Sequence, residues 1–294
     1  MRVIIVTQTF PPRIGGMQSV MSALAKNFSK TIPTYVFPDH NIPNTHSIRS
    51  YKIEFIFSKF PKIFRPFIKK IKLKNNLKED DIIICDSWKS LNALPNTNNK
   101  VVMLAHGQEF LSKSKKNKIN KLLEKVSIVI SSSTYTKNVF LNIYKFPESK
   151  THVIPPTYEI ENDKIKIQNK SSNKEDLILT TISRLEERKG FLPVIKALKN
   201  LIEKKLINNF MWSIYGDGYL KKKIKEQINY YKLNKYIKIK NYVDEKSKEK
   251  ILINSDLFIM PSYKVENSIE GFGISYIEAA KYAVPSISGI DGGV

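Results

Sequence analysis

Residues 1–25, MRVIIVTQTFPPRIGGMQSVMSALA, place a buried-strand signal and a helix signal on either side of one glycine-bearing turn. The run Arg2 to Thr7 is short, β-branched and almost wholly apolar, as a strand covered on both faces requires. Pro11 and Pro12 stiffen the turn, and Gly15 and Gly16 open a helical stretch from about 16 to 29. The free N–H groups and positive end of such a helix suit a phosphate or sugar oxygen, and the glycines let a ligand approach the backbone. Taken alone, the geometry of a plain strand-to-helix turn explains the same residues equally well.

Outward from this unit the pattern repeats. "DIIIC" is followed by a stretch from 87 to 94, "KVVMLA" by one from 114 to 125, and "VSIVIS" by one from 133 to 144. Apolar strands alternating with helices predict the βαβ units of a doubly wound parallel sheet. From Pro155 to about Asp176 the texture turns polar, PPTYEIENDKIKIQNKSSNKED, as in a linker. The alternation then resumes with "LILTTIS", a helix over 190–205, "FMWSIYG", a helix over 218–232, "YIKIKNY", "DLFIMP", a helix over 274–282 and "VPSIS". The expected class is therefore α/β, with a domain over 1–160, a linker over 161–175 and a second domain over 176–294. Two sheets facing a cleft are expected, the usual place for a ligand between domains.

The chain has 294 residues, 41% of them hydrophobic and 26% charged, which fits folded globular protein and two domains rather than disorder. The formal charge of +22, from 49 basic and 27 acidic residues, favours anionic partners. Lysine, asparagine and isoleucine run together along the whole chain, however, so the charge also reads as a general bias of composition. No helix-turn-helix, zinc or aromatic RNA-binding signature accompanies it, and nucleic acid is not an expected partner. The single cysteine, Cys85, ends an apolar run and reads as a buried thiol in a reducing compartment. The N-terminal apolar run is too short for a secretory signal, and no stretch reaches about 18 apolar residues. A cytoplasmic location is expected.

Three further loops carry candidate chemistry. In "ISRLEERKGF" Arg184 and Lys189 stand five apart after a strand, where open α/β sheets bind ligands; Arg grips two phosphate oxygens and Lys supplies a compact charge. "YGDG" places Gly216 between a strand and a helix. "EGFGISYIEA", 270–279, sets Glu270 before a helix and Glu278 one turn inside it, around Gly271-Phe272-Gly273. Carboxylates suit sugar hydroxyls, because each oxygen accepts two hydrogen bonds. Each loop by itself is equally a turn or a solvated helix end.

The order "FPPRIGG", "HGQE", "ISRLEERKG", "YGDG", "DLFIMPS", "EGFGISYIEA" and "VPSI…GG" resembles glycosyltransferase family 4 over nearly the whole chain. The resemblance implies the GT-B fold of two Rossmann-like domains and transfer of a sugar from a nucleotide donor. It implies retention of anomeric configuration, no required metal and no cofactor beyond the donor. It puts Gly15 and Gly16 near the donor diphosphate or sugar, with Gly216, Phe272, Gly273 and Ile274 also on the donor side. Arg184 and Lys189 would neutralise the diphosphate, Glu270 would touch the donor sugar and Glu278 would hold the ribose hydroxyls. His106 matches a histidine near the reacting centre, and Glu109 assists with the acceptor. The chain has no Asp-x-Asp triplet for a divalent ion.

Departures from the family pattern include Pro156-Thr157 for Asn-Gly and Asn241 where glycine is common. The chain ends at "GIDGGV", where relatives continue, so an incomplete second domain is expected. The stretch 52–74 interleaves phenylalanines and lysines, as in a basic amphipathic segment on anionic lipid or in a helix with one core face and one solvated face. The leading reading is a glycosyltransferase acting on a glycan or lipid-linked acceptor in surface polysaccharide biosynthesis. The alternatives are an inactive or partner-dependent nucleotide-sugar-binding protein and a nucleotide-sugar 2-epimerase.

Overall fold

The computed structural model describes residues 1–13, 15–39, 52–53, 62–156, 176–266 and 268–294. The expected linker over 161–175, and residues 54–61 of the basic stretch, lie outside them. The chain divides into two compact units, Met1–Glu159 and Ile160–Val294.

Among the described residues of the first unit seven parallel strands form one sheet: β1 (Val3–Val6), β2 (Thr34–Phe37), β3 (Lys52–Ile53), β4 (Ile82–Cys85), β5 (Lys100–Ala105), β6 (Ile128–Ser131) and β7 (Thr151–Val153). Their order is β3-β2-β1-β4-β5-β6-β7, with every neighbouring pair parallel. The helices are α1 (Gly16–Phe28), α2 (Arg65–Asn76), α3 (Lys116–Leu123) and α4 (Thr134–Ile143). All four residues of β1 are buried because the period of two sends them to different cores. Ile4 and Val6 pack with Leu73 of α2, Ile119 of α3 and Phe140 of α4, whereas Val3 and Ile5 pack with Met21 and Ala25 of α1. Helices thus cover both faces, which is why the strands read as unbroken apolar runs. Cys85 is a free thiol inside the first of these cores, where burial pushes it above its ordinary range.

The second unit repeats the scheme with β8 (Leu177–Ile182), β9 (Phe210–Tyr215), β10 (Ile237–Lys240), β11 (Leu257–Met260) and β12 (Ser286–Ser288), ordered β10-β9-β8-β11-β12 and all parallel. Helices α5 (Phe191–Glu203) and α6 (Lys221–Tyr230) cover one face through Ile195, Leu198, Ile224 and Ile228. Helices α7 (Glu245–Ile253) and α8 (Ile274–Lys281) cover the other through Leu252 and Ala279.

The expected α/β class is present, and two local expectations need correction. Residues 87–94 form only a 3-10 turn over Ser90–Ala93. The hydroxyls of Ser87 and Ser90 turn back onto the Asp86 carboxylate at 3.3 and 2.6 Å, and such local bonding competes with a regular helix. Helix α7 was not legible in "DEKSKEKILI", because its charges crowd the period. Its Asp244 side chain accepts from Ser247 N–H at 2.7 Å and starts the helix as an N-cap.

In each sheet the chain order reverses between two neighbouring strands, β1 with β4 and β8 with β11. Loops leaving the carboxyl ends of such strands diverge and open a crevice, the general ligand position in doubly wound sheets. Trp212 ties the second switch together: it is 1% exposed, lies 6.5 Å from the Phe191 ring, and donates from Nε1 to Thr181 Oγ1 at 3.0 Å. Trp212→Ala is expected to cost the second unit about 3–5 kcal/mol, read as a lowered urea midpoint at unchanged slope.

Candidate functional site

The loop leaving β8 is held from two sides before it reaches its charged residues. Ser183 and Leu185 donate backbone N–H groups to Tyr215 O and Asp217 O at 3.1 and 2.9 Å, so the "YGDG" loop braces the "SRLEERKG" loop. A Cβ on Gly216, at φ 151, would stand 1.9 Å from Ser183 O, which explains glycine there. A 3-10 turn over Glu187–Lys189 ends at Gly190, whose φ is 82 and whose added Cβ would meet Pro261 O at 2.4 Å. This close approach of the turn to the end of β11 sends the side chains of Arg188 and Lys189 inward.

Both inward side chains end on one carboxylate. Arg188 Nη1 donates to Glu270 Oε2 at 2.6 Å, and Lys189 Nζ donates to the same oxygen. Their side chains are only 5% and 8% exposed, and Glu270 is 14% exposed. Glu186 carries the outer partners, with Arg184 Nη1 2.6 Å from Oε1 and Arg188 Nε 3.2 Å from Oε2, the latter an ion pair without hydrogen-bond alignment. The Arg184 side chain is 68% exposed. Among the described residues this ion-paired cluster sets three cations against two carboxylates, with Glu187 of the same turn exposed and outside it. Burial pushes the Glu270 carboxyl up, but Lys189 and Arg188 outweigh it and hold the group below the ordinary glutamate value. Burial likewise lowers Lys189, with Glu270 only partly opposing.

From Glu270 the chain passes through Gly271, Phe272 and Gly273 into α8, where Ile274 is the first residue and Glu278 lies one turn in. Ser275 Oγ lies 3.4 Å from Ile182 O, so the first turn of α8 sits over the end of β8. Glu278 is not joined to the Glu270 cluster. It pairs with Lys248 of α7, whose Nζ donates to Oε1 at 2.6 Å. Gly293 N–H donates to Glu270 O at 2.8 Å, which brings the second glycine pair of the sequence against the same loop.

In the first unit the switch between β1 and β4 is organised by a residue the sequence reading did not single out. Asp86 is fully buried, and its carboxylate accepts from Thr7 Oγ1 at 2.7 Å, Gln8 N at 2.8 Å and Ser90 Oγ at 2.6 Å. His106 Nε2 lies 3.0 Å from Asp86 O, and His106 N–H donates to Glu109 Oε1 at 2.7 Å. His106 and Glu109 are therefore brought together, with the imidazole aimed at the end of β4. Gly15 precedes α1 and Gly16 begins it. Lys69 is 1% exposed; it donates to Thr7 O at 2.9 Å and pairs with Asp39. That lysine belongs to the core side of α2 and not to a solvated basic face.

Arg188, Glu186, Lys248 and Asp86 are among the charged residues that sequence reasoning missed. In a chain with 49 basic residues nothing marks Arg188 or Lys248, whereas an aspartate ending an apolar strand, as in "IIICD", is a signal that points to Asp86. Among the described residues, no group of three or more His, Cys, Asp or Glu side chains is placed to hold a metal ion.

Two family models match in sequence: Glycosyltransferase Family 4 over residues 14–162 and Glycosyl transferases group 1 over residues 162–294. The uncharacterized glycosyltransferase MJ1059 of Methanocaldococcus jannaschii is 30% identical over 167 residues, 55% of this chain and 39% of that protein. The amylovoran biosynthesis glycosyltransferase AmsK of Erwinia amylovora is 25% identical over 136 residues, 46% of this chain and 33% of that protein. The match thus spans less than half the length of either relative. Among solved structures, Anabaena Alr3699/HepE in complex with UDP superposes with a TM-score of 0.76 at 18% identity, covering 100% of this chain and 82% of that one.

The ion cluster has a pH signature. The folded Glu270 carboxyl lies below its unfolded value, so the stability it contributes is full above about 4.3 and is lost as pH falls through the folded value. Glu270→Gln strands two buried cations and is expected to cost about 3–5 kcal/mol at neutral pH. That cost shrinks as pH falls from about 5 to about 3. Urea unfolding of both proteins across this range measures it; a constant difference is the contrary result.

Proposed function

The chain belongs to glycosyltransferase family 4, and from that premise we propose that it transfers a sugar from a nucleotide diphosphate donor to a glycan or lipid-linked acceptor in surface polysaccharide assembly. The observation that carries the reading is the excess positive charge of Arg184, Arg188 and Lys189 over Glu186 and Glu270 at the β8–β11 switch. The hard step breaks a bond between an anomeric carbon and phosphate, and the departing oxygen gains negative charge. Preorganised cations aimed at that charge lower the barrier. Arg184, exposed and among the described residues tethered only to Glu186, is free to swing onto the outer phosphate oxygens. Lys189, with its charge weakened by burial, gains from a second anion beside Glu270.

The finer assignments follow the family resemblance. Glu270 contacts the donor sugar, Glu278 the ribose, and the loops at Gly216 and at Phe272, Gly273 and Ile274 enclose the donor. Gly15 and Gly16 approach the donor diphosphate or sugar, His106 stands near the reacting centre, and Glu109 assists with the acceptor. Transfer proceeds with retention and without a metal. Support for a nucleotide-sugar donor comes from a fold neighbour bound to UDP, and support for polysaccharide assembly from the name of the amylovoran relative.

A cytoplasmic site of action at the inner face of the membrane is part of the proposal. Among the described residues no helix is long and apolar enough to cross a membrane. Ile63, Phe64, Phe67 and Ile71, on and just before α2, are 80%, 54%, 64% and 47% exposed. Lys70 and Lys74 are exposed beside them, and no acidic residue occurs from 62 to 76. An apolar stripe edged by lysines suits the headgroup region of an anionic bilayer.

A thermal-shift panel of uridine, guanosine and adenosine diphosphate sugars is expected to show stabilisation by one donor class. Nucleotide release that requires an added acceptor then identifies transfer; a changed sugar configuration without any acceptor identifies an epimerase, and binding with neither release nor changed configuration a non-enzymatic role. Lys189→Ala is expected to lower transfer by roughly 10²–10³-fold with an unchanged circular dichroism spectrum; a wild-type rate overturns the site. For the membrane, sedimentation with acidic vesicles is expected to exceed that with neutral ones and to fall with salt and in Phe64→Ser/Phe67→Ser. Equal sedimentation removes the lipid role.

A further inference from the structure

Lys248 does work on α7 that the proposed chemistry leaves unassigned. It is 9% exposed, and its ammonium bridges two helices, donating 2.6 Å to Glu278 Oε1 on α8 and 2.9 Å to Glu245 Oε1 on its own helix. Glu278 is itself mostly buried, at 13% side-chain exposure. Among the described residues no protein donor reaches its second oxygen, Oε2. A buried carboxylate without a partner takes up a proton and becomes a hydrogen-bond donor at one oxygen. A vicinal diol needs the opposite: an ionised carboxylate that accepts from both hydroxyls.

We infer that Lys248 is a positioning residue, which holds Oε1 of Glu278 so that the carboxylate stays ionised and presents Oε2 to the ribose hydroxyls of the nucleotide donor. The inference rests on the donor reading given above for Glu278. The groups facing that carboxylate are Lys248 and Glu245 from α7 and Tyr242 from the loop before it; Lys281, in the last turn of its own helix, lies over the Tyr282 ring. Their effects differ in sign. Burial pushes the Glu278 carboxyl up, Lys248 pulls it only part of the way back and Glu245 adds to the upward push, so the group lies above the ordinary glutamate value but lower than burial alone would set it. Burial works against the Lys248 charge, but Glu278 and Glu245 outweigh it and hold the ammonium above the ordinary lysine value. The arrangement sets the ionisation of Glu278 through α7, a helix outside the "EGFGISYIEA" motif.

The opposite signs give a test that general damage to the fold does not mimic. In the carboxyl-labelled protein, the Glu278 resonance, identified by its loss in Glu278→Gln, is titrated by carbon NMR. Lys248→Met is expected to move its midpoint up, Glu245→Gln to move it down, and Lys248→Arg to leave it near the wild-type value. An unmoved midpoint in Lys248→Met, or a shift of the same sign in Lys248→Met and Glu245→Gln, overturns the inference. Calorimetric binding of UDP and 2′-deoxy-UDP across pH reads the consequence for the ligand, and their ratio cancels the titration of the phosphates. Wild type is expected to prefer UDP by roughly tenfold, the worth of a charge-assisted hydrogen bond. Lys248→Met is expected to lose that preference at a higher pH than wild type as the solution is acidified. A preference unchanged in Glu278→Gln overturns the ribose reading itself, a failure separate from that of Lys248, which the NMR midpoint decides.

Discussion

Glu270 takes two buried cations on a single oxygen, and the second unit is shaped around the need to make that arrangement tolerable. Desolvating three charged groups is costly, and their mutual attraction repays it only when geometry and further hydrogen bonds are good. The 3-10 turn over Glu187–Lys189, the left-handed Gly190 and its close approach to Pro261 together deliver Arg188 and Lys189 to the same point. Glu186 then gathers the outer side of Arg188 and the exposed Arg184. The cluster ends with more positive than negative charge, which is the basis of the proposed diphosphate site. Structure and chemistry meet here: the residues that satisfy Glu270 are those proposed to receive the donor diphosphate.

The first unit solves a different problem at the equivalent place in its sheet. Its switch point is organised by one carboxylate, Asp86, which collects a hydroxyl from β1, a backbone N–H from the loop after it and serine hydroxyls from its own loop. The same residue's carbonyl meets His106 at the end of β5. A buried anion with several neutral donors fixes loops firmly without requiring a counter-cation, and it leaves the imidazole oriented. The buried Lys69 adds a second brace by donating to Thr7 O. The two halves thus use the same topology with opposite electrostatics, a hydrogen-bonded carboxylate in one and an ion cluster with excess positive charge in the other.

By itself the sequence determined the fold class, because parallel strands covered on both faces must be unbroken apolar runs, and "RVIIVT", "DIIIC", "KVVMLA" and "LILTTIS" have no other economical reading. It also located the loops that carry charge, since glycines at 190 and 216 and the "EGFGISYIEA" carboxylates stand where strands end. Tertiary structure alone decided the partners. That Arg188 turns inward while Arg184 stays exposed follows from the phase of a three-residue turn against Pro261. That Lys248 crosses from α7 to Glu278 follows from the packing of two helices 30 positions apart. Ion pairs between distant segments leave no periodic trace, and in a chain this rich in lysine only burial distinguishes the few cations that matter from the many that face water.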